Sequence, residues 1–167
     1  MAVTETVPTR AAPQDGVWRD LAQDRPQGRL PGDDRKRVAA ALPEEQGWAG
    51  SVLVVGDPTH WVQVSAGEIV SFQSFLTGRI ARALGAAEAL DADALNDTMT
   101  QPERLATHLR SAELADGNAV LGHLIGAELA ATRAFWLGAD IRLVGSGALA
   151  DAYEAALRAQ AALVTRV

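Results

Sequence analysis

Residues 51–75 constrain the fold of this chain more than any other stretch. The apolar run Val52-Leu53-Val54-Val55 stops at Gly56-Asp57-Pro58. A second run, Trp61-Val62-Gln63-Val64, alternates in character and ends in Ser65-Ala66-Gly67-Glu68. A third, from Ile69 to Phe75, alternates again, with Ile69, Ser71, Gln73 and Phe75 on one side. Short β-rich runs punctuated by Gly, Pro, Asp and Ser predict a strand meander. On spacing alone, the turn at 56–60 is an ordinary hairpin. Its small and hydroxyl-bearing residues also suit it to present backbone N–H groups to an anion.

The flanking sequence changes character twice. Residues 1–34 carry Pro8, Pro13, Pro26 and Pro31 and sustain no helix or strand period, so they read as a loose arm or connection. Asp33 and Asp34 open a short helix over 35–42 that Pro43 halts. The expected division is therefore an arm with a short helix at 1–45 and a folded domain at 46–167. After the meander, Thr77 is placed to cap a helix reaching Leu84, and 86–99 reads as a short helix and loop. Thr100-Gln101-Pro102-Glu103 has capping-box spacing with Pro in the first turn, predicting a helix to about Ala112. A long helix is expected over 118–137, with Asp116 as cap. Within it Gly122 and Gly126 lie four apart and would let another backbone approach closely. Asp140 to Val144 reads as a strand, Gly145-Ser146-Gly147 as a loop, and 148–163 as a final helix. Strand, glycine loop, helix is the order found at nucleotide sites on open α/β sheets. A strand-to-helix joint also needs glycine for geometry alone.

Composition removes several function classes. The 167 residues suit one domain, and a net charge of −6 gives no overall basic field for nucleic acid. With no cysteine there is neither a disulfide nor a thiolate metal site. No apolar span reaches membrane length and the N-terminus lacks the apolar core of a secretory signal, so a cytoplasmic protein is expected. His108 and His123 have no partner at metal-ligand spacing and read as structural. No metal site, Ser-His-Asp set or P-loop is legible.

Several ordered blocks carry a resemblance. They are Leu21-Ala22-Gln23-Asp24-Arg25-Pro26, Gly32-Asp33-Asp34, and Val55-Gly56-Asp57-Pro58-Thr59-His60-Trp61-Val62. Leu76-Thr77-Gly78-Arg79, Leu124-Ile125-Gly126-Ala127-Glu128, and Leu143 to Leu149 with Tyr153, Ala156 and Leu157 complete them. Together they resemble the C-terminal part of the 2-dehydro-3-deoxygalactonokinase family, the 2-keto-3-deoxygalactonate kinases. The resemblance implies an α/β fold of the actin- and hexokinase-like ATPases: a ribonuclease H-like C-terminal domain, a mixed sheet with helices. It implies transfer of the γ-phosphoryl of ATP, with Mg²⁺, to a 2-keto-3-deoxy sugar acid. The family's first phosphate hairpin, an Asp-x-Gly-Thr-Thr-like turn, has no match in the chain.

The same resemblance assigns candidate residues. Gly56, Thr59 and His60 would meet phosphate, and Gly145, Ser146 and Gly147 the nucleoside. Thr77 and Glu128 would face the cleft, although Glu128 on a long helix also reads as a surface charge. No catalytic base is matched. The chain departs from the family inside the hairpin, where Thr-His-Ser-Lys becomes Asp57-Pro58-Thr59-His60 and the Glu of a TGE run becomes Arg79. Asp57 adds negative charge, Pro58 removes an N–H, and His60 replaces a cation. Arg79 itself reads as a lone surface residue or as one reaching an acid or anion. These departures open two rival readings: a kinase remnant without catalysis, and one half of a split kinase whose first domain is a separate chain. Either would leave apolar surface to cover, so a homodimer or a partner chain is expected.

Overall fold

The structure is a computed structural model and describes residues 4–45 and 47–167. The expected domain division at 45/46 falls on Gln46, outside the described residues. The first 34 residues, expected to lack regular structure, hold four short strands: β1 (Glu5–Thr6), β2 (Thr9–Arg10), β3 (Leu21–Asp24) and β4 (Gln27–Leu30). Strands of two to four residues are too short to display a period in sequence. Leu21 and Leu30 reveal them instead, because both are fully buried and register-paired across the β3–β4 hairpin.

Helix α1 (Gly32–Ala41) buries Gly32, Arg35, Val38 and Ala41, one residue per turn. The predicted meander follows as β5 (Ala49–Val54), β6 (Thr59–Ser65) and β7 (Glu68–Phe75), all antiparallel. A register shift between Gln63 and Val64 moves Ile69 to the same face as Phe72, so the simple alternation of 69–75 does not hold at its start.

The helices differ from expectation at their ends. Thr77 begins α2 (Thr77–Ala83) without capping it. Helix α3 (Ala92–Thr100) is capped by Asp91, whose carboxylate accepts from Ala94 N–H at 3.0 Å. Thr100 closes α3, its hydroxyl bonded to the Asn96 carbonyl, instead of opening the next helix. Pro102–Arg104 makes a 3₁₀ turn into α4 (Leu105–Ala115). The predicted long helix divides into α5 (Val120–Ala131) and α6 (Arg133–Trp136) at Thr132, whose hydroxyl donates back to the Glu128 carbonyl. After β8 (Asp140–Val144), α7 (Ala148–Ala159) ends early and β9 (Leu163–Arg166) takes the remainder.

The larger sheet runs β2–β7–β6–β5–β8–β9, with β8 parallel to β5 and β9 parallel to β8. Its strands alternate faces. Leu53, Trp61, Ile141 and Leu143 meet α5 and α7, while Val52, Val54, Val62 and Phe72 meet α1 and the small β1–β3–β4 sheet. The N-terminal segment therefore covers one face of the sheet. A β-carbon at Gly122 or Gly126 would lie 2.4 or 2.3 Å from the carbonyl oxygens of Asp91 and Leu95, so the glycine pair does let α3 lie against α5. Among the described residues no helix is long and apolar enough to cross a membrane.

Candidate functional site

The parallel strands β5 and β8 end side by side, at Gly56 and at the Gly145-Ser146-Gly147 loop. Gly147 has φ +80° and leads directly into α7, a backbone state that a side chain would strain. Gly78, in the first turn of α2, sits close to both ends: a β-carbon there would lie 2.8 Å from Leu149 and 3.7 Å from the Gly56 carbonyl. A cavity of about 300 Å³ opens beside this junction, lined by Gly78, Ala81, Arg82, Glu88, Leu121, Ser146 and Leu149. Its walls come from α2, α5, the glycine loop and α7. The position, outside the carboxyl ends of strands in an open sheet, is where such folds place ligands.

Under the cavity wall lies a polar cluster that ties the same elements together. Glu128 of α5 is buried and accepts three hydrogen bonds. Trp61 Nε1 of β6 donates to Oε1 at 2.7 Å, and the hydroxyls of Thr77 and Tyr153 donate to Oε2 at 2.5 and 2.6 Å. Burial raises the Glu128 pKa above the ordinary carboxyl value, and the three donors oppose that rise. Burial and the neighbouring Glu128 likewise push the Tyr153 hydroxyl upward, so it remains a proton donor. A carboxylate enclosed this way is a strut between β6, α2, α5 and α7, not a base open to solvent.

The expected site residues separate into three places. Ser146 lines the cavity; Gly145 and Gly147 are its chain neighbours outside the lining, and the Gly56 carbonyl lies near the lining residue Gly78. Thr77 and Glu128 meet in the buried cluster, with Thr59 beside Tyr153. Thr59 is buried and its hydroxyl donates to the Gly56 carbonyl, which closes the turn on itself. His60 points to the opposite face of the sheet. There its Nδ1 meets Ser74 Oγ at 2.7 Å and its Nε2 lies 3.5 Å from Asp34. Asp34 is held below the usual carboxyl range by His60 first, and by Arg37. What the turn offers to solvent is Asp57, which pairs with Arg79 and Arg82 of α2. Arg79 is thus one of a pair serving an acid, not a lone surface residue.

Sequence reasoning missed Trp61 as a polar partner, Arg82, and the cavity-lining Leu121 and Leu149. Trp61 had one available signal: it alternates with Val62 toward the helix face, where a buried indole N–H needs an acceptor. His108 and His123 share one hydroxyl, Thr98 Oγ1, at 2.7 and 2.8 Å. Among the described residues no cluster of three or more His, Cys, Asp or Glu is arranged to hold a metal.

Comparison with known proteins bears on this geometry. Among curated proteins no sequence matches. A crystal structure from Sinorhizobium meliloti, provisionally named a 2-dehydro-3-deoxygalactonokinase, shares the fold with a TM-score of 0.79 at 23% identity. The match covers 99% of this chain and 67% of that one. The family model for 2-keto-3-deoxy-galactonokinase matches residues 32–116 and 99–167, which takes in the hairpin, α2, the Glu128 helix and the glycine loop. The chain belongs to the 2-keto-3-deoxy-galactonokinase family.

Proposed function

We propose that this chain carries the nucleotide-binding part of a cytoplasmic kinase that moves the γ-phosphoryl of ATP to a hydroxyl of 2-keto-3-deoxygalactonate. The observation that carries this reading is the cavity at the joined ends of β5 and β8, between the start of α2 and the Gly145-Ser146-Gly147 loop. Its volume of about 300 Å³ and its Leu121, Ala81 and Leu149 walls suit a flat, largely apolar group such as a purine. The antiparallel β5–β6–β7 meander continued by parallel β8 and β9 supports a ribonuclease H-like reading of the domain.

The residues present contribute orientation. The Glu128 strut fixes α2 and α7 relative to the hairpin, so the two walls of the cavity keep their spacing. Mg²⁺ would neutralise charge on the transferring phosphoryl group. Such an ion keeps several waters and rests mainly on substrate phosphates, which requires no cage of protein carboxylates. Phosphoryl transfer needs groups on both flanks of the phosphate chain. The hairpin and α2 form one flank, and the base that accepts the hydroxyl proton is not assigned to a residue of this chain.

Calorimetric titration of ATP tests the reading. Binding is expected, and Leu149→Trp, which fills the cavity, should weaken it by about tenfold or more. Absence of ATP and ADP binding at millimolar concentration, or indifference of a folded Leu149→Trp variant, would overturn it. Turnover by this chain alone, with ATP, Mg²⁺ and 2-keto-3-deoxygalactonate, is expected to be negligible. Robust ADP release would overturn the one-flank assignment.

A further inference from the structure

Thr59 and His60 cannot offer their side chains to a phosphate, because both are buried in the sheet. Pro58 has no N–H to give. The positive charge at the hairpin comes instead from α2. Arg79 reaches Asp57 Oδ1 through Nε at 3.1 Å and through its terminal nitrogen at 3.0 Å, while Arg82 holds Oδ2. One carboxylate thus faces two guanidinium groups and leaves one positive charge uncompensated. Arg82 also lines the cavity, so this charge stands at the cavity's edge. Glu88, a carboxylate among the same lining residues, would repel a phosphate chain that approached it.

We propose that Arg79 and Arg82 are the phosphate contacts of this chain, and that Asp57 occupies them until the polyphosphate of a nucleotide displaces it. The assignment rests on the nucleotide reading of the cavity. Guanidinium groups bind phosphate oxygens in the same forked geometry that they use for a carboxylate. A polyphosphate carries several charges against the single charge of Asp57. The pair it must break is solvent-exposed, where an ion pair contributes little. Asp57 is therefore a built-in competitor: it weakens ligand binding by the free energy needed to release it.

The test is calorimetric titration of the full chain with ATP, inorganic tripolyphosphate and adenosine. The variants are Asp57→Asn, Arg82→Gln and the double variant, each checked for folding by thermal melting. Asp57→Asn is expected to tighten both ATP and tripolyphosphate about threefold to tenfold, and Arg82→Gln to weaken both and cancel that gain in the double variant. Unchanged or weaker tripolyphosphate binding in folded Asp57→Asn would overturn the proposal. ATP binding that ignores both substitutions leaves the nucleotide reading standing and sinks this one. Tripolyphosphate binding that follows the pattern, with no binding of ATP or adenosine in the cavity, upholds the anion site and sinks the nucleotide reading. Binding of no ligand by any variant overturns both.

Discussion

Two carboxylates brace the β5–β6 hairpin from opposite sides of the protein surface. Glu128 is buried beneath it with three neutral donors; Asp57 stands at its tip with two arginines. Asp57 has the formally stronger partners. Glu128 is nevertheless the one on which the fold depends, because its donors have no water to turn to. An exposed ion pair exchanges protein contacts for hydration at nearly equal free energy, whereas a buried donor left alone bears its full desolvation cost.

The sharpest way to break this comparison is to remove Glu128. Glu128→Ala leaves the Trp61 N–H and the Thr77 and Tyr153 hydroxyls unpaired in the interior. A loss of about 3–5 kcal/mol in urea-unfolding free energy is expected, against about 1–2 kcal/mol for Glu128→Gln, which keeps shape and one acceptor. A loss from Glu128→Ala no larger than that of a surface variant would refute the claim that burial decides. The pH dependence sharpens the test. The folded pKa of Glu128 is raised, so its stabilising contribution is complete below the unfolded carboxyl value and declines as pH rises through the folded value. Glu128→Gln should remove that decline.

What could be read from sequence divides along the same line. The meander, the strand–glycine loop–helix order and a close backbone approach at Gly122 and Gly126, though not that α3 makes it, were legible, because periodicity and small residues state them locally. The Glu128 cluster was not: Trp61, Thr77, Glu128 and Tyr153 lie on four elements, and nothing local tells a core glutamate from a surface one. The N-terminal strands escaped for a related reason. The segment carrying β1 and β2 is held by Arg35, whose place in α1 looks like one more basic residue on a charged helix.

Arg35 and Glu5 give the intermediate case. Arg35 is fully buried and its side chain donates to the carbonyls of Arg10, Ala12 and Arg19, while Glu5 pairs with it at 3.0 Å with 10% of its side chain exposed. Arg35→Ala should cost about 2–4 kcal/mol, since it empties a fully buried site and leaves three part-buried carbonyls without their donor. Protease cleavage within the first 30 residues should accelerate before the rest of the chain opens. Glu5→Gln should cost less than Arg35→Ala. Equal effects from the two would place the stabilisation in the ion pair and not in the carbonyl contacts.

A smaller, pH-dependent effect is expected at the histidine pair. His123 is held below its ordinary value first by burial and then by neighbouring His108, whose ring lies 4.8 Å away. Asp97 and Asp91 oppose this shift. A histidine with a lowered folded pKa stabilises most when neutral. Stability should be full above the unfolded value of about 6.5 and fall as pH drops below it, until the folded value is passed. Because Glu128 contributes in the opposite sense over the same range, the readout is the difference between parent and variant: from pH 7.5 to 5 the urea midpoint of the parent should fall relative to that of His123→Gln. A parent that gains on His123→Gln toward acid would show that the groups opposing the shift outweigh burial.

Asp57→Asn should have the smallest effect on stability and the largest on anion binding. Asp57 is held below the usual carboxyl range by Arg79 first and by Arg82, so its contribution exists above the ordinary value and disappears as pH falls through the folded one. Both arginines are more than half exposed, and salt screens charges placed in water. The urea midpoint of Asp57→Asn should therefore match the parent within measurement error at neutral pH, at both low and high salt. A shift comparable to that of Glu5→Gln would mean that the hairpin tip is held by its ion pairs and that displacing Asp57 opens the turn itself. Tight ligand binding would then come at the cost of the hairpin, and the role of Asp57 as a simple competitor would have to be abandoned. An unchanged midpoint with altered polyphosphate affinity would separate the two carboxylates cleanly: one holds the hairpin in place, and the other regulates what the hairpin can bind.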